Sequence, residues 1–287
     1  MKKIPIRQIS SAHQELTSAG RFKIRLVQDL AGENGLVQDL HRHDFFFILA
    51  LQKGHGTHEI DFTAYKVLDN SIFFLRPGQV HQLELKAGCT GYLMEFDTEF
   101  YHPKDKLSTQ RLRKASIKNY CTPEISRFEK LQALLTYMFR EYTSREDGYR
   151  EVIKANLDIF FIELVRQSSH PEEVSTAVNP YKQERLEEFL GLLDIHITTH
   201  KQVAQYTDLM NLSPYQLNEI TKSTIGKTSS ELINERIILE AKRYLLATPN
   251  QIKDIADLLG YEDVSYFIRF FKKLTGYSPE SFRNKFG

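Results

Sequence analysis

The feature that most constrains the fold of this chain is a pair of short helical patterns in its C-terminal third. Apolar residues recur at three- and four-residue steps from Ile252 to Leu259 and stop at Gly260. This spacing is typical of one face of an α-helix, and glycine readily adopts the left-handed conformation that often ends a helix. A second pattern starts near Val264 and ends at Gly276. Its expected apolar face consists of Phe267, Phe270, Phe271 and Leu274.

The same pair of patterns occurs once more upstream. Val203, Tyr206, Met210 and Leu212 align with Ile252, Ile255, Leu259 and Tyr261 at a shift of 49 residues. Leu217, Ile220, Lys222 and Gly226 align with Phe267, Phe270, Lys272 and Gly276 at a shift of 50. The second copy therefore has one extra residue at its corner. In the first copy, Ser213 and Pro214 supply the usual signals for the start of a helix. An internal repeat argues against a chance match to a single motif.

Two helices joined by a tight corner form a helix-turn-helix unit when the second helix presents a polar, basic face to DNA. The alternative is an ordinary helical corner packed inside a helical domain. We expect the two units at about 202–225 and 251–275. A helix over Ser229–Thr248 joins them, and a helix over Tyr181–Thr199 precedes them.

The amino-acid sequence of the second copy is distinctive. IADLLGY followed by SYFIRFFKKLTGYSPESFR closely resembles the C-terminal signature of the AraC/XylS family of bacterial transcription regulators. The resemblance implies a DNA-binding regulator, not an enzyme, whose two second helices enter successive major-groove segments about 34 Å apart. It also implies an N-terminal barrel that senses a small-molecule effector, a homodimer, and contact with RNA polymerase if the protein is an activator.

Family members use positions along both second helices to contact DNA, and these positions can be transferred to this sequence. Arg269 is the best single candidate for a base contact, and Lys222 is expected nearer to phosphate. Glu219 is unusual, because a glutamate can accept from a cytosine amino group or repel the backbone. Thr221 stands where the second copy has Phe271, which predicts a looser first unit. The expected DNA-binding residues are Ser213, Tyr215, Gln216, Asn218, Glu219, Lys222, Ser265, Tyr266, Arg269, Lys272 and Lys273.

Charge supports DNA binding only locally. The chain carries a formal net charge of +1, and residues 181–287 contain equal numbers of basic and acidic side chains. From Val264 onward, Glu280 is the single acidic residue, and the basic residues there are Arg269, Lys272, Lys273, Arg283 and Lys285. Phosphate contacts depend on where charges lie on the surface, so a basic final segment can serve in a neutral domain.

Residues of about 20–100 contain short β-rich runs separated by turn residues. These runs are RFKIRLVQDL, FFFILAL, GTHEIDF, YKVLDNSIFFLRPG, HQLELKAG and TGYLMEF. Many short strands without intervening helices predict a barrel or double-sheet roll. Two motifs resemble those of cupins: His41-Arg42-His43 before a strand, and Phe74-Leu75-Arg76-Pro77-Gly78 with His81 soon after.

In metal-bearing cupins, the corresponding histidines and a later glutamate hold a divalent metal. His41, His43 and His81 could supply three imidazole ligands, but hydrophobic residues occupy the expected glutamate position. Asp44 is adjacent to His43 on a strand and should point to the opposite face. We expect no bound metal and no cofactor; the histidines are instead expected to anchor loops or contact a ligand. The effector-binding candidates are His43, Phe45, Phe47, His58 and His81, of which the phenylalanines could equally fill the barrel.

Residues of about 122–167 show two amphipathic helical patterns joined by TSREDGY. They could form a two-fold dimer contact or pack only on the barrel. The polar residues 168–180 are the expected linker. The predicted fold is α+β, with a cupin-like effector-binding and dimerisation domain over 1–167 and an all-α DNA-binding domain over 181–287.

No apolar run is long enough to span a membrane, and the start MKKIPIRQIS lacks the apolar core of a signal peptide. We therefore expect a cytoplasmic protein. Cys89 and Cys121 are expected to be ordinary free thiols. The favoured function is a sequence-specific transcription regulator that responds to a small molecule. The alternative is a cupin-type metalloenzyme with a helical interaction domain.

Overall fold

The structure is a computed structural model that describes residues 6–7, 9, 20–168 and 180–286. These residues form two compact units, one ending at residue 168 and the other starting at residue 180. The expected linker lies outside the described residues, except for its end residues Ser168 and Pro180. No helix in the described ranges has the length and apolar character needed to cross a membrane.

The N-terminal unit is built around two five-stranded sheets. The strands are β1 (Ile6–Arg7), β2 (Phe22–Leu26), β3 (Leu36–His43), β4 (Phe46–Lys53), β5 (Gly56–Ile60), β6 (Thr63–Val67), β7 (Ser71–Leu75), β8 (Val80–Leu85), β9 (Thr90–Phe96) and β10 (Tyr120–Cys121). The first sheet has the order β1-β3-β8-β5-β6 and the second β10-β7-β4-β9-β2. Only the β1–β3 pair is parallel among the described strands. This arrangement confirms the predicted cupin-like double sheet.

The central strands of the second sheet are buried on both faces, which explains their unbroken hydrophobic sequence. On β4, Phe46 and Ile48 belong to the core beneath the helices, whereas Phe47 and Leu49 belong to the core between the sheets. Successive side chains of a strand point to opposite faces, so one strand supplies both cores. Cys89 is buried, Cys121 is half-buried, and both are free thiols, as expected.

Four helices complete this unit: α1 (Val27–Ala31), α2 (Lys106–Ile117), α3 (Ile125–Ser144) and α4 (Tyr149–Ser168). Helices α3 and α4 confirm the two predicted amphipathic segments. Their apolar faces cover the second sheet, where Phe161 stacks on Phe74 with ring centroids 5.7 Å apart. The Tyr92 hydroxyl also lies 3.0 Å from Thr136 Oγ1. Packing onto the second sheet therefore explains why the inner faces of α3 and α4 are apolar.

One local expectation in this unit is wrong, and two features of the unit were not expected. Residues Val27–Ala31, read as a continuation of the first strand, form α1. The His41-Arg42-His43 motif precedes β4, as expected, but it also forms the end of β3, because pairing with β8 recruits this polar segment into the sheet. Helix α2 was not expected, since its sequence has no clear apolar stripe; it starts at Asp105, whose carboxylate accepts from Ser108 N at 2.7 Å.

The C-terminal unit is entirely helical. Its helices are α5 (Pro180–His196), α6 (Val203–Met210), α7 (Pro214–Ile225), α8 (Ser229–Ala247), α9 (Ile252–Leu258), α10 (Val264–Thr275) and α11 (Pro279–Phe286). The first predicted unit corresponds to α6 and α7, the second to α9 and α10, and the connecting helix to α8. All three predictions are confirmed.

The two corners share one backbone arrangement. Leu212 N donates to Thr207 O at 3.0 Å, and Tyr261 N donates to Ala256 O at 2.9 Å. The left-handed residue is Asn211, with φ of 51°, in the first corner, and Gly260, with φ of 73°, in the second. A left-handed residue commonly ends a helix when the N–H of the residue after it donates to the carbonyl five residues earlier, as both corners do.

Each copy of the repeat contains a third helix, which the sequence analysis did not identify for the second copy. Ser278 accepts from Ser281 N at 3.1 Å at the start of α11, as Thr228 accepts from Glu231 N at the start of α8. Ser278-Pro279 could have revealed α11, since Ser213-Pro214 is the same start signal. The expected apolar face of α10 also needs correction, because Leu274 is 45% exposed.

Candidate functional site

The outward face of α7 is exposed along its length. Tyr215 is 80% exposed, and Gln216, Glu219 and Lys222 are also exposed. Its opposite face is buried and includes Leu217, Ile220 and Thr221. The i, i+3 and i+4 spacing of these apolar positions separates the helix into a packed face and an accessible face.

Some expected DNA contacts on α7 have local partners. Ser213 Oγ accepts from Gln216 N at 3.2 Å, and Gln216 Oε1 accepts from Ser213 N at 2.8 Å. This reciprocal capping box holds the start of the helix. The half-buried Asn218 accepts from Ser229 N at 3.2 Å and so connects α7 to the start of α8. These three side chains position α7.

Glu219 has a partner that the sequence did not reveal. Its carboxylate forms an ion pair with the ammonium of Lys182 on α5. The pair is partly exposed, and such pairs add little stability. It does reduce the local negative charge that a lone glutamate would present to phosphate.

The outward face of α10 is similarly exposed. Tyr266 is 54% exposed, and Ser265, Arg269, Lys272 and Lys273 are exposed on the same helix, while Phe267 and Phe271 are fully buried. Asp263 caps the helix by accepting from Ser265 N at 2.7 Å. Its other oxygen lies 3.8 Å from Arg269 Nη2, and both side chains are largely exposed. Arg269 therefore remains accessible to a partner.

Arg283, one of the basic residues after Val264, is not an exposed charge like Arg269, Lys272 and Lys273. Its Nε donates to Leu245 O at 2.9 Å, and its Nη2 donates to Asn250 O at 2.6 Å. The guanidinium thus satisfies one carbonyl oxygen in the last turn of α8 and one in the segment before α9, and burial lowers the pKa of Arg283. A side chain held in this way stabilises the fold and is not available to phosphate.

The N-terminal unit contains a buried cluster of four histidines on the inner face of the first sheet. His41 and His43 lie on β3, His81 on β8 and His58 on β5, which are neighbouring strands. All four are at most 5% exposed. His43 Nε2 lies 2.5 Å from His81 Nε2, and His58 Nε2 lies 2.8 Å from His81 Nδ1.

Burial keeps these imidazoles neutral near pH 7. It lowers the pKa of His41 to about 4 and the pKa values of His43 and His58 to about 3. The pKa of His81 is likewise far below its usual value, first through burial and then through the neighbouring histidines. Neutral imidazoles have one nitrogen that donates and one that carries a lone pair.

The five expected effector residues lie in one place. Phe45 and Phe47 pack on the His43 ring, with centroids 4.3 and 5.3 Å away, and His58 and His81 follow on the same face. Each is fully or almost fully buried. Asp44 points away from the cluster and lies 3.5 Å from Arg21 Nη2. His58 was expected only as an effector contact, and its hydrogen bond to His81 was not foreseen.

A separate cleft of about 540 Å³ opens beside α2 and α4. Tyr101 donates to Asp158 Oδ1 at 2.6 Å within it, and Arg111 and Lys154 also line it. Lys154 Nζ lies 5.2 Å from the centre of the Phe100 ring. The sequence analysis missed this cleft, because its residues are brought together only by the packing of α2 against α4.

Comparison with known proteins assigns both units. Residues 206–285 match a helix-turn-helix domain family, and residues 31–157 match the AraC-like ligand binding domain family. The HTH-type transcriptional activator RhaS of Pectobacterium atrosepticum is 23% identical over 258 residues, which cover 85% of this chain and 87% of RhaS. The uncharacterized HTH-type transcriptional regulator YfiF of Bacillus subtilis is 23% identical over 255 residues, covering 85% and 78% of the two chains.

Two further similarities are narrower or more distant. The bifunctional transcriptional activator/DNA repair enzyme AdaA of Bacillus subtilis is 35% identical over 91 residues, so this chain spans 43% of AdaA. Among solved structures, ToxT of Vibrio cholerae is 16% identical with a TM-score of 0.42, covering 93% of this chain and 98% of ToxT.

The ligand-binding match covers the sheet unit, and the helix-turn-helix match covers both repeats of the helical unit. The relatives that match over most of their length are named as transcription regulators, which sets aside the metalloenzyme alternative. The chain belongs to the AraC family of transcription regulators, with an N-terminal ligand-binding domain and a C-terminal helix-turn-helix DNA-binding domain.

Proposed function

We propose that the protein is a cytoplasmic, effector-dependent transcription activator that reads DNA with α7 and α10. The observation that supports this most directly is the matched exposure of both helices: each buries one face in its own repeat and leaves the other face accessible. Helices presented in this way can enter the major groove. A relative that covers most of this chain is named as an activator, which supports activation and contact with RNA polymerase.

The residues of the two helices have different proposed tasks. Arg269 and Tyr266 on α10 and Tyr215 on α7 contact base edges or sugars, since all three are large polar side chains that are more than half exposed. Lys222, Lys272 and Lys273 lie in the last turns of the two helices and contact phosphates. Ser265 and Glu219 flank these contacts, and Ser213, Gln216 and Asn218 hold α7 in position.

A footprint on operator DNA tests this proposal. We expect protection of two major-groove segments on one face of the duplex, about 34 Å apart. Protection of a single segment would show that only one helix reads DNA, and protection without sequence preference would contradict the assigned function.

Arg269→Ala is expected to reduce sequence discrimination. A guanidinium that contacts a base contributes about 1–3 kcal/mol, which corresponds to roughly 5- to 150-fold weaker binding to the specific site. Binding to random DNA should change little. The measurement is a salt-controlled titration of both DNAs, with Lys253→Ala on the exposed face of α9 as the matched control. Equal losses on specific and random DNA would assign Arg269 to phosphate.

The effector is proposed to bind within the unit of residues 20–168, where two locations are available. One is the interior around His43, Phe45, Phe47, His58 and His81, whose side chains would have to separate to admit a molecule. The other is the open cleft lined by Arg111 and Lys154 together with acidic side chains such as Glu99 and Glu151, which suits a small polar molecule. A thermal-shift screen of the full chain, repeated with Phe47→Leu and Arg111→Gln, distinguishes the two by which variant loses the response.

A homodimer is proposed through the outward faces of α3 and α4. Their inner faces are used by the second sheet, but Ile125, Tyr137 and Ile159 are each 46–68% exposed on the outside. Exposed apolar side chains on neighbouring helices favour association with a second copy. Analytical ultracentrifugation tests this, since a monomer at all accessible concentrations would contradict it.

A further inference from the structure

The buried histidine cluster leaves one ring nitrogen each of His41, His43 and His58 without a hydrogen-bond partner in the described residues. His41 Nδ1 lies 2.6 Å from the carbonyl oxygen of Asp39, which can only accept, so the proton of His41 resides on Nδ1. Its Nε2 then carries a lone pair. Within the described residues, this buried Nε2 has no hydrogen-bond partner. An unsatisfied buried acceptor is destabilising, and it needs an electrophilic partner.

The neighbouring nitrogens converge on the same point. One nitrogen from each of His41, His43 and His81 lies within 4.8 Å of the other two. His43 Nε2 and His81 Nε2 lie 2.5 Å apart. Two nitrogens bound to one tetrahedral ion lie roughly 3.3 Å apart, so these two rings have to separate slightly when an ion enters. A site with three imidazole ligands on one side, inside an apolar core, has the composition of a transition-metal site.

His58 determines how His81 can act. If His81 Nδ1 donates its proton to His58 Nε2 at 2.8 Å, then His81 Nε2 carries a lone pair that faces those of its neighbours. Histidines that bind metals commonly donate their other nitrogen to an outer partner, which fixes ring orientation and tautomer. His58 fills that role here and occupies a strand that the two cupin-like motifs do not include.

We propose that His41, His43 and His81 bind a late first-row divalent metal ion through their Nε2 atoms, and that His58 fixes the tautomer of His81. Zn²⁺, Co²⁺, Ni²⁺ and Cu²⁺ favour imidazole nitrogen, whereas Mg²⁺ and Ca²⁺ favour oxygen. This proposal replaces the expectation of no metal, which was based on the missing glutamate. It goes beyond the proposed function, because metal binding is measured without DNA or effector.

Charge near the cluster gives the proposal a distinctive consequence. Arg7 on β1 is the register partner of His43 on β3, so its positive charge lies beside the cluster. The positive charge of Arg7 disfavours a cation in the cluster. Removing it should strengthen metal binding, by about twofold to tenfold for a partly screened charge. If the cluster were only a hydrogen-bonded part of the core, the protein would bind no metal, and removing the charge of Arg7 would have no effect on metal binding.

The test uses the full chain after treatment with a chelator. Co²⁺ titration is followed by visible absorption and Zn²⁺ titration by calorimetry, in a His196→Gln, His200→Gln background. That background removes a second pair of neighbouring histidines whose rings lie 4.9 Å apart. We expect one ion per chain, and at a hundredfold excess over Kd a rise in Tm of about 5–10 °C.

Single histidine variants distinguish the histidines that bind the metal from those that do not. His41→Gln, His43→Gln and His81→Gln should each abolish stoichiometric binding, and His58→Gln should weaken it about 10- to 100-fold. His55→Gln is the matched control, since His55 is exposed near the start of the same strand as His58, and it should bind like the parent. Arg7→Gln should bind more tightly.

Two results would overturn the proposal. The first is a folded, chelator-treated protein that binds neither Co²⁺ nor Zn²⁺. The second is stoichiometric binding that persists in His41→Gln. If His81→Gln does not fold, His41→Gln decides the question, because in the part of the chain that the structure describes the His41 ring forms one hydrogen bond, to the carbonyl oxygen of Asp39 on its own strand. Its Tm should then fail to respond to Zn²⁺ while that of His55→Gln rises.

Discussion

Replacing Gly260 with alanine is expected to disrupt the second helix-turn-helix unit and to abolish specific DNA binding. Gly260 has a φ of 73°, and a Cβ placed there would lie 1.9 Å from the carbonyl oxygen of Thr198. That oxygen belongs to the backbone, so the corner must open to relieve the overlap. We expect a loss of more than about 3 kcal/mol in the free energy of unfolding, beyond the range of ordinary substitutions.

Gly276 provides the matched control for Gly260→Ala. It has a φ of 79°, but a Cβ there meets no atom within 4 Å. Gly276→Ala should therefore cost only the left-handed strain of about 1–2 kcal/mol and should retain DNA binding. Urea denaturation followed by far-UV circular dichroism measures both, since the chain contains no tryptophan. Equal losses for the two variants would show that conformational strain, not the close approach to Thr198, decides the effect.

The helical unit could be predicted from sequence because its determinants are local. Repeated apolar spacing, Gly260 at one corner and Ser213-Pro214 at the other specify where helices start and end. Contacts between distant parts of the unit could not be read in this way. The link from Arg283 to Leu245 O and the ion pair from Glu219 to Lys182 span 38 and 37 residues, and no periodic signal marks either.

Only part of the histidine cluster could be predicted from the sequence. His41 and His43 are two residues apart on one strand, so their shared face follows from the period of a strand. Their proximity to His81 could be expected from the cupin-like motifs. The placement of His58 could not, because it depends on β5 pairing with β8 in a register that puts His58 beside Leu83 and Ile60 beside His81. Strand order and register are set by packing across the whole sheet.

The two repeats have the same corner geometry but different side chains in their cores. We expect this difference to give the two cores different sensitivities to truncation. Phe271 is fully buried between Phe267 and Phe282, whereas its counterpart Thr221 is fully buried and donates to Asn218 O at 3.2 Å. Phe271→Ala should cost about 3–5 kcal/mol, because it leaves a cavity the size of an aromatic ring. Thr221→Ala should cost about 1 kcal/mol.

Calorimetry of the full chain can assign these losses to the helical unit, and binding to operator DNA shows whether one weakened repeat affects the other. Because α8 joins the two repeats and α10 and α11 both pack on it, we expect Phe271→Ala to weaken the binding contributed by both units. Thr221 predicts a looser first unit by sequence, but its full burial and its hydrogen bond to Asn218 O show a smaller, packed core. If Thr221→Ala proves as costly as Phe271→Ala, the first repeat depends on its threonine as strongly as the second depends on its phenylalanine, and the proposed asymmetry between the cores is wrong.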